Sequence, residues 1–377
     1  MGAAERTAAG PSDGKDMMRI GIVGLPLSGK STVFNALTRG TARTGLFSAT
    51  REEVHVSVVE VPDERVGTLT RLLHPVQVTS AKIEYVDVVG VEKGSARKTD
   101  AATGFLAPVR QADALLHVAR AFADESVPHP LGSVDPARDA IALEEEFVIA
   151  DLIATEKRLE KIVKLAAVGK KPEQKGEAEV LEKCRAHLCK ETPLRNVEFT
   201  HEEEKLIRGF QFLSRKPVLV VLNAGENDDP CAVEDTAKRL AVAGHPVVPL
   251  CGKLEMEIAG CAEADAAELM ELAGLCEPAS HKVVKASYAL LGLITFYTAA
   301  HSELTAWSIR RGTHIVEAAG EIHTDMARGF IKAEVIGFDE LVACESFAHA
   351  KEKGLLRVEG KAYEVKDGDV VTIRFAI

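Results

Sequence analysis

One eight-residue stretch near the N-terminus constrains the fold of this chain more than any other feature. Residues 24–31 read Gly-Leu-Pro-Leu-Ser-Gly-Lys-Ser and satisfy the pattern Gly-x-x-x-x-Gly-Lys-Ser/Thr. An apolar run over residues 18–23 precedes the stretch, and a helical pattern over residues 30–37 follows it. A strand, a glycine-containing loop and a helix in this order are typical of a loop that binds nucleotide phosphates; a structural Gly-rich turn is the alternative.

The residue types in this loop suit the binding of a nucleoside triphosphate together with Mg²⁺. Glycine lets backbone N–H groups turn toward phosphate oxygens, and the helix that begins at Lys30 adds its positive dipole end. Lys30 is predicted to bridge the β- and γ-phosphates, and the Ser31 hydroxyl is predicted to bind Mg²⁺. The predicted nucleotide-binding residues of the loop are Gly24, Leu27, Ser28, Gly29, Lys30, Ser31 and Thr32.

A second motif, Asp87-Val88-Val89-Gly90, fits the metal side of the same site because it ends a predicted strand. Asp87 is predicted to hold Mg²⁺ through water, and the Gly90 N–H to contact the γ-phosphate. Thr50 lies in the loop before an alternating strand pattern and is the candidate for a further metal ligand, with an ordinary loop threonine as the alternative. The predicted Mg²⁺ ligands are therefore Ser31, Thr50 and Asp87.

The recognition of the base is predicted from the end of the apolar run over residues 217–222. A guanine-specific site carries Asn-Lys-x-Asp there, whereas this chain reads Asn223-Ala224-Gly225-Glu226. The lysine is missing and the aspartate is replaced by a longer glutamate, so the paired contact to guanine is expected to be lost. Asn223, Ala224 and Glu226 remain candidate nucleotide-binding residues, and Gly252 occupies the position of a second loop that contacts the base.

The chain is predicted to be an α/β protein with a mostly parallel sheet and helices on both faces. Helical patterns separate most of the predicted strands, which are residues 18–23, 54–61, 81–89, 114–118, 217–222 and 246–250. A charge-rich helical pattern interrupts them and breaks at residues 169–176, which predicts an antiparallel helical hairpin. The hairpin is either a structural insertion or an arm that docks a partner.

The C-terminal part has a different pattern. Residues 281–297 look helical, and short β-like runs follow at residues 304–309, 330–338, 355–360, 361–365 and 370–377. This pattern predicts a small α+β module. The predicted domains are a disordered leader at 1–17, the nucleotide-binding domain at 18–137 and 206–280, the hairpin at 138–205 and the C-terminal domain at 281–377.

Charge and composition exclude several classes of function. The net charge is −11 and no segment is basic enough to coat nucleic acid through bulk charge. No run of 18 apolar residues exists, and the seven scattered cysteines include no Cys-x-x-Cys pair that would suggest zinc. We therefore expect a cytoplasmic protein whose partners include neither a membrane nor sequence-specific DNA.

Longer stretches add a family resemblance. The P-loop, Val-Asp-Val-Val-Gly, Val-Leu-Asn-x-x-Glu and the hairpin occur in the order typical of the YchF branch of the Obg-like ATPases. The C-terminal stretches LLGLITFYTA, AAGEIHTDMARGFIKAEVI and EGKAYEVKDGDVVTIRF resemble the TGS domain of this family, a ubiquitin-like β-grasp module. The resemblance runs from about residue 18 to residue 377, and the chain diverges from the family pattern in its switch regions.

The resemblance implies a P-loop protein that accepts ATP, often in preference to GTP, hydrolyses it slowly and is linked to ribosomes. Val91 stands where related GTPases carry the glutamine that orients the attacking water. His117 matches a histidine of the family and is the candidate catalytic residue, with a core histidine as the alternative. Two functions stay open: a slow ATPase that acts as a translation-linked switch, and a nucleotide-gated ribosome or ribonucleoprotein adaptor with little turnover.

Overall fold

A computed structural model describes residues 17–40, 55–88, 90–91, 94, 106–168, 175–242, 244–300 and 302–376. These residues form two compact units. The nucleotide-binding unit contains residues 18–59 and 84–290, and the C-terminal unit contains residues 60–83 and 291–377. None of the helices in the described part of the chain is long and apolar enough to cross a membrane.

The strands are β1 Arg19–Val23, β2 His55–Glu60, β3 Gln77–Thr79, β4 Lys82–Asp87, β5 Ala114–Arg120, β6 Val218–Asn223, β7 Val247–Leu250, β8 Leu293–Ala300, β9 Glu303–Arg310, β10 Phe330–Gly337, β11 Arg357–Glu359 and β12 Asp369–Phe375. The helices are α1 Lys30–Thr38, α2 Glu64–Leu73, α3 Ala107–Gln111, α4 Pro136–Ala167, α5 Glu177–Leu188, α6 His201–Ile207, α7 Pro230–Val242, α8 Gly252–Gly260, α9 Glu263–Leu272, α10 Ala279–Leu290, α11 Ile315–Ile322, α12 Thr324–Arg328, α13 Phe338–Cys344 and α14 Phe347–Glu352. Short 3-10 turns lie at Leu194–Asn196 and Arg208–Phe210.

The sheet of the nucleotide-binding unit contains all six strands predicted for it, in the order β2-β4-β1-β5-β6-β7. β1 pairs in parallel with β4 and β5, and β6 pairs in parallel with β5 and β7. β5 and β6 are buried along their whole length, as expected for central strands covered on both faces. The register places the carboxyl ends of β1, β4 and β6 at one edge, where ligands bind in open parallel sheets.

The predicted helical hairpin is present. Asp135 caps the N-terminus of α4, and its carboxylate accepts a hydrogen bond from the Arg138 N–H. Pro136 occupies the first turn of the helix. The distal part of α4 packs on α5 through an apolar cluster that includes Leu159, Ile162 and Leu181. Arg158 donates to both carboxylate oxygens of Glu177 at 2.7 and 2.9 Å and links the two helices beside this cluster.

The C-terminal unit is a mixed sheet in the order β11-β10-β12-β8-β9-β3 with α11 packed on it. The prediction of one helix over residues 281–297 is wrong in its second half, because α10 ends at Leu290 and β8 begins at Leu293. Gly292 separates them with a φ of +65°, a conformation that favours glycine. Residues 361–365, predicted as β-like, form a turn and one isolated bridge between Glu364 and His314.

The observed units differ from the predicted domain boundaries at two places. Residues 60–83, assigned by sequence to the nucleotide-binding domain, belong to the C-terminal unit, where β3 pairs in parallel with β9. Tyr297 donates to Asp63 at 2.5 Å, and Arg65 donates to Asp367 at 2.9 Å, which fixes α2 on this sheet. Conversely, α10 belongs to the nucleotide-binding unit, where the Glu255 carboxylate caps its first turn.

Candidate functional site

The loop between β1 and α1 has the backbone shape that its glycines predict. Gly29 has a φ of +89°, and a Cβ atom there would lie 2.2 Å from the Asn223 amide nitrogen. No other residue type fits this position without displacing Asn223. Leu27 also has a positive φ, +62°, which is a strained conformation for a residue with a side chain. The loop therefore turns tightly over the end of β1, and Gly24, Ser28 and Thr32 lie in or beside it.

Lys30 is the first residue of α1, its side chain reaches back into this loop, and it is 8% exposed. Its Nζ atom donates to the Leu25 carbonyl at 2.9 Å. Burial lowers the pKa of Lys30 to about 8, although the nearby Asp87 carboxylate raises it. Gly90 approaches so closely that a Cβ atom would lie 3.0 Å from Lys30 Nζ. The two predicted phosphate-contacting residues, Lys30 and Gly90, are thus neighbours in space.

Ser31 and Asp87 form the metal side of the site. Ser31 Oγ donates to Asp87 Oδ2 at 2.8 Å, and Asp87 Oδ1 is buried with no hydrogen-bond partner among the described residues. Burial raises the pKa of Asp87, while the Ser31 hydroxyl and the Lys30 charge lower it. A hydroxyl and a carboxylate with a spare oxygen are the ligands that Mg²⁺ takes beside phosphates and water. The residues fit Mg²⁺; Thr50, the third predicted ligand, lies outside the described residues.

Asn223 connects the phosphate loop to the loop expected to contact the base. Its Nδ2 donates to the Ser28 carbonyl at 3.0 Å, and its Oδ1 accepts from the Gly252 N–H at 3.0 Å. Both ends of this buried amide are therefore used by protein backbone. A Cβ atom on Gly252 would lie 2.9 Å from Asn223 Oδ1, so only glycine allows the approach. Asn223 positions the two loops relative to each other.

The predicted base-contacting positions lie at the rim of the site. Glu226 is exposed and forms an ion pair with Lys253 at 3.0 Å. Ala224 is half-buried and donates its N–H to the Leu250 carbonyl at 2.9 Å. Phe122, which sequence analysis did not identify, has a ring atom 3.8 Å from the ideal Cβ position of Gly29 and stacks under the Arg120 guanidinium. Neither Phe122 nor Arg120 belongs to a sequence motif, so only their position in the folded structure identifies them.

His117 and Val91, the two residues considered for water positioning, are both buried. His117 lies within β5, opposite Val23 and Val220, and is 4% exposed. Burial lowers the pKa of His117 to about 3, helped by the charges of His245 and Lys30, so its ring is neutral. In the part of the chain that the structure describes, its Nε2 atom has no hydrogen-bond partner. Val91 is 1% exposed in the apolar cluster beneath α4, so its side chain cannot contact water.

Comparisons with known proteins show the family of this chain. A family model described as "50S ribosome-binding GTPase" matches residues 19–149, and the model YchF-GTPase_C, described as "Protein of unknown function", matches residues 293–376. The Ribosome-binding ATPase YchF of Bacillus subtilis (strain 168) is 40% identical over 362 residues, which cover 95% of this chain and 99% of that protein. The chain belongs to the YchF family.

Other YchF proteins extend the comparison. The Ribosome-binding ATPase YchF of Escherichia coli O157:H7 is 36% identical over 361 residues, again with 95% and 99% coverage. The solved structure of the Schizosaccharomyces pombe YchF GTPase covers 96% of this chain and 98% of its own, with 27% identity and a TM-score of 0.77. The predicted family and the predicted fold class, a P-loop sheet with a helical hairpin and a C-terminal α+β module, are confirmed.

Proposed function

We propose that this YchF protein binds ATP with Mg²⁺ and hydrolyses it slowly. The observation that carries the proposal is the convergence of Lys30, Ser31 and Asp87 at the carboxyl ends of β1 and β4. A buried ammonium, a hydroxyl and a carboxylate with a free oxygen match the charge pattern of a triphosphate with its metal. Gly90 lies beside Lys30, and its N–H is the proposed contact to a γ-phosphate oxygen.

Each residue has a defined task in this proposal. Backbone N–H groups of the phosphate loop would hold the β-phosphate, Lys30 would bridge the β- and γ-phosphates, and Ser31 and Asp87 would hold the metal. Bound Mg²⁺ supplies positive charge against the phosphate oxygens. Since the Val91 side chain is buried and apolar, no polar side chain at this position orients the attacking water. Turnover is therefore expected well below typical enzyme values of about 1–1000 s⁻¹.

We infer that ATP binds at least as tightly as GTP. Glu226 replaces the aspartate that pairs with guanine, and its carboxylate is already paired with Lys253. Ala224 cannot contribute the lysine stem found beside guanine. Loss of a hydrogen-bonding partner for one base edge removes discrimination for that base.

A role in translation is supported by relatives rather than by any one residue. The matched proteins of Bacillus subtilis and Escherichia coli carry the name Ribosome-binding ATPase YchF. We propose that this chain likewise acts in the cytoplasm as a ribosome-linked switch. A nucleotide-gated adaptor with little turnover is the second candidate, favoured by the burial of Val91 and His117.

Titration with ATP and GTP in the presence of Mg²⁺, combined with phosphate-release measurements, tests both candidates. We expect ATP binding and slow release of phosphate, and loss of binding in Lys30→Ala with an unchanged circular dichroism spectrum. Binding without release would favour the adaptor. Unchanged ATP affinity in Lys30→Ala would show that the phosphate loop is wrongly assigned.

A further inference from the structure

The loops that follow β6 and β7 meet at the rim of the candidate site through an ion pair. Deeper in the site, Oδ1 of Asn223 accepts a hydrogen bond from the Gly252 N–H at 3.0 Å and holds the two loops together. At the rim, Lys253 Nζ donates to Oε2 of Glu226 at 3.0 Å. Because ligands bind beyond the carboxyl ends of parallel strands, this ion pair lies at the edge of the sheet where the base of a nucleotide is expected.

The backbone on both sides of this ion pair is held by further hydrogen bonds. Glu226 lies in a turn that is closed by Asp228, whose carboxylate accepts from the Gly225 N–H at 2.7 Å. Lys253 is the second residue of α8, and Glu255 of the same helix is 2% exposed and accepts two hydrogen bonds from the first turn of α10 at 2.8 and 3.0 Å. The side chains of Lys253 and Glu226 are 64% and 40% exposed, so they can rearrange on a fixed backbone.

The carboxylate of Glu226 still has the two oxygens with which an acidic residue reads guanine. Guanine presents two adjacent donors, N1–H and N2–H, and a carboxylate pairs with both when each oxygen accepts one of them. Glutamate is one methylene longer than aspartate but carries the same two oxygens. Lys253 already occupies Oε2, and the hydrogen bond to Glu226 raises the pKa of Lys253, so the ammonium is charged at neutral pH. Guanine must therefore displace Lys253 or leave one donor without a partner.

Adenine does not need both oxygens, because it carries a single amino group and the ring nitrogens beside that group accept hydrogen bonds. We infer that Lys253 determines the base specificity of the proposed ATP site: it holds the Glu226 carboxylate and thereby disfavours GTP without weakening ATP. This role rests on the proposed function. Specificity of this kind comes from a polar group of the competing ligand that is left unpaired, and not from an added contact to the favoured ligand.

Lys253→Met tests this role because it removes the ammonium and keeps an apolar stem. The Kd for Mg²⁺–GTP should fall about three- to tenfold, as expected for one hydrogen bond gained, while the Kd for Mg²⁺–ATP stays within about twofold of wild type. An exposed ion pair adds little stability, so the variant should fold, and a damaged fold would not produce a gain in affinity. Lys238→Met is the matched control: Lys238 is 66% exposed and pairs with Glu234 of its own helix, so both Kd values should stay within about twofold.

Two further ligands separate the reading of the base from the effect of charge. Inorganic tripolyphosphate has no base, and its Kd should change less than about twofold in Lys253→Met because an exposed charge is screened by solvent and salt. Inosine triphosphate lacks the N2 amino group of guanine, so its affinity should rise less than that of GTP. In a Glu226→Gln background the gain for GTP should disappear, because an amide offers only one acceptor oxygen.

The ratio of the Kd values for GTP and ATP decides the outcome. The inference would be overturned by an unchanged ratio in folded Lys253→Met, by equal changes for all four ligands, by equal gains for GTP and inosine triphosphate, or by a gain for GTP that persists in the Glu226→Gln background. If wild type does not bind ATP, the proposed function fails and this inference fails with it. If wild type binds ATP and Lys253→Met keeps the wild-type ratio, the inference alone fails.

Discussion

The affinity of this protein for ATP should fall as the pH is raised from 7.5 to 9.5, because Lys30 loses its proton in this range. Burial lowers the pKa of Lys30 in the nucleotide-free protein to about 8, and the Asp87 carboxylate raises it. The phosphates of bound ATP add negative charge beside Nζ and favour the ammonium form, so binding raises this pKa. Wherever the free protein has lost the proton, ATP binding must therefore take one up.

The size of the effect follows from the two protonation states. At pH values below the Lys30 pKa of about 8, Lys30 of the free protein is already charged and ATP binds with its full affinity. Above it, the dissociation constant rises by about tenfold per pH unit, or about 1.4 kcal/mol, until the pH reaches the pKa in the complex. At pH 9 the Kd for ATP should be about tenfold higher than at pH 7.

Isothermal titration calorimetry in two buffers of different ionisation enthalpy measures both quantities. We expect uptake of nearly one proton per ATP at pH 9 and almost none at pH 7. Lys30→Arg serves as the matched control, because its guanidinium keeps its charge at both pH values. Its ATP affinity should be weaker but should not change with pH. A wild-type affinity that is constant from pH 7.5 to 9.5, or an equal pH dependence in Lys30→Arg, would refute the reasoning.

Three further predictions follow from contacts in the two units. The double substitution Ala224→Lys with Glu226→Asp should shift preference toward GTP in competition binding; a wild type that prefers GTP tenfold would contradict the premise. His117→Ala should lower phosphate release several-fold at similar ATP affinity, whereas unchanged release would return His117 to a purely structural role. Tyr297→Phe removes the hydrogen bond to Asp63 and should cost about 1 kcal/mol of unfolding free energy, measured by urea denaturation; no loss would show that the hydrogen bond adds no net stability.

The sequence predicted the nucleotide-binding sheet well because its strands are signalled locally. Each strand is a short apolar or alternating run, and the phosphate loop and Asp87 follow two of them directly. The C-terminal unit was harder, since residues 293–297 are all buried and mostly apolar, and periodicity cannot separate a buried strand from a buried helix. The strand β3 has only three residues and exposes Val78, so its pairing with β9 has no local signal.

In the candidate site, too, the residues of contiguous motifs were predictable from the sequence, and the contacts between distant segments were not. Lys30, Ser31 and Asp87 come from contiguous motifs, and the structure brings them together. The contacts of Asn223 with the Ser28 carbonyl and the Gly252 N–H join segments far apart in sequence, so no motif contains them. The hydrogen bond from the Gly94 N–H to Glu146 spans 52 residues, so no sequence motif predicts it either. Residues that carry charge to a ligand were predictable, whereas residues that hold them in place were not.

The slow turnover proposed for this chain would follow from packing and not from one missing side chain. Val91 lies in an apolar cluster with Val23, Leu115 and Phe147, so a side chain at its position is surrounded by apolar groups of the described residues. A glutamine there would either bury an unsatisfied amide, at about 1–3 kcal/mol, or turn outward and leave a cavity beneath α4. Restoring a water-orienting side chain would thus require repacking the base of the hairpin. Helix α4 and the candidate site therefore share one core, and the packing of α4 limits which side chains the site can hold.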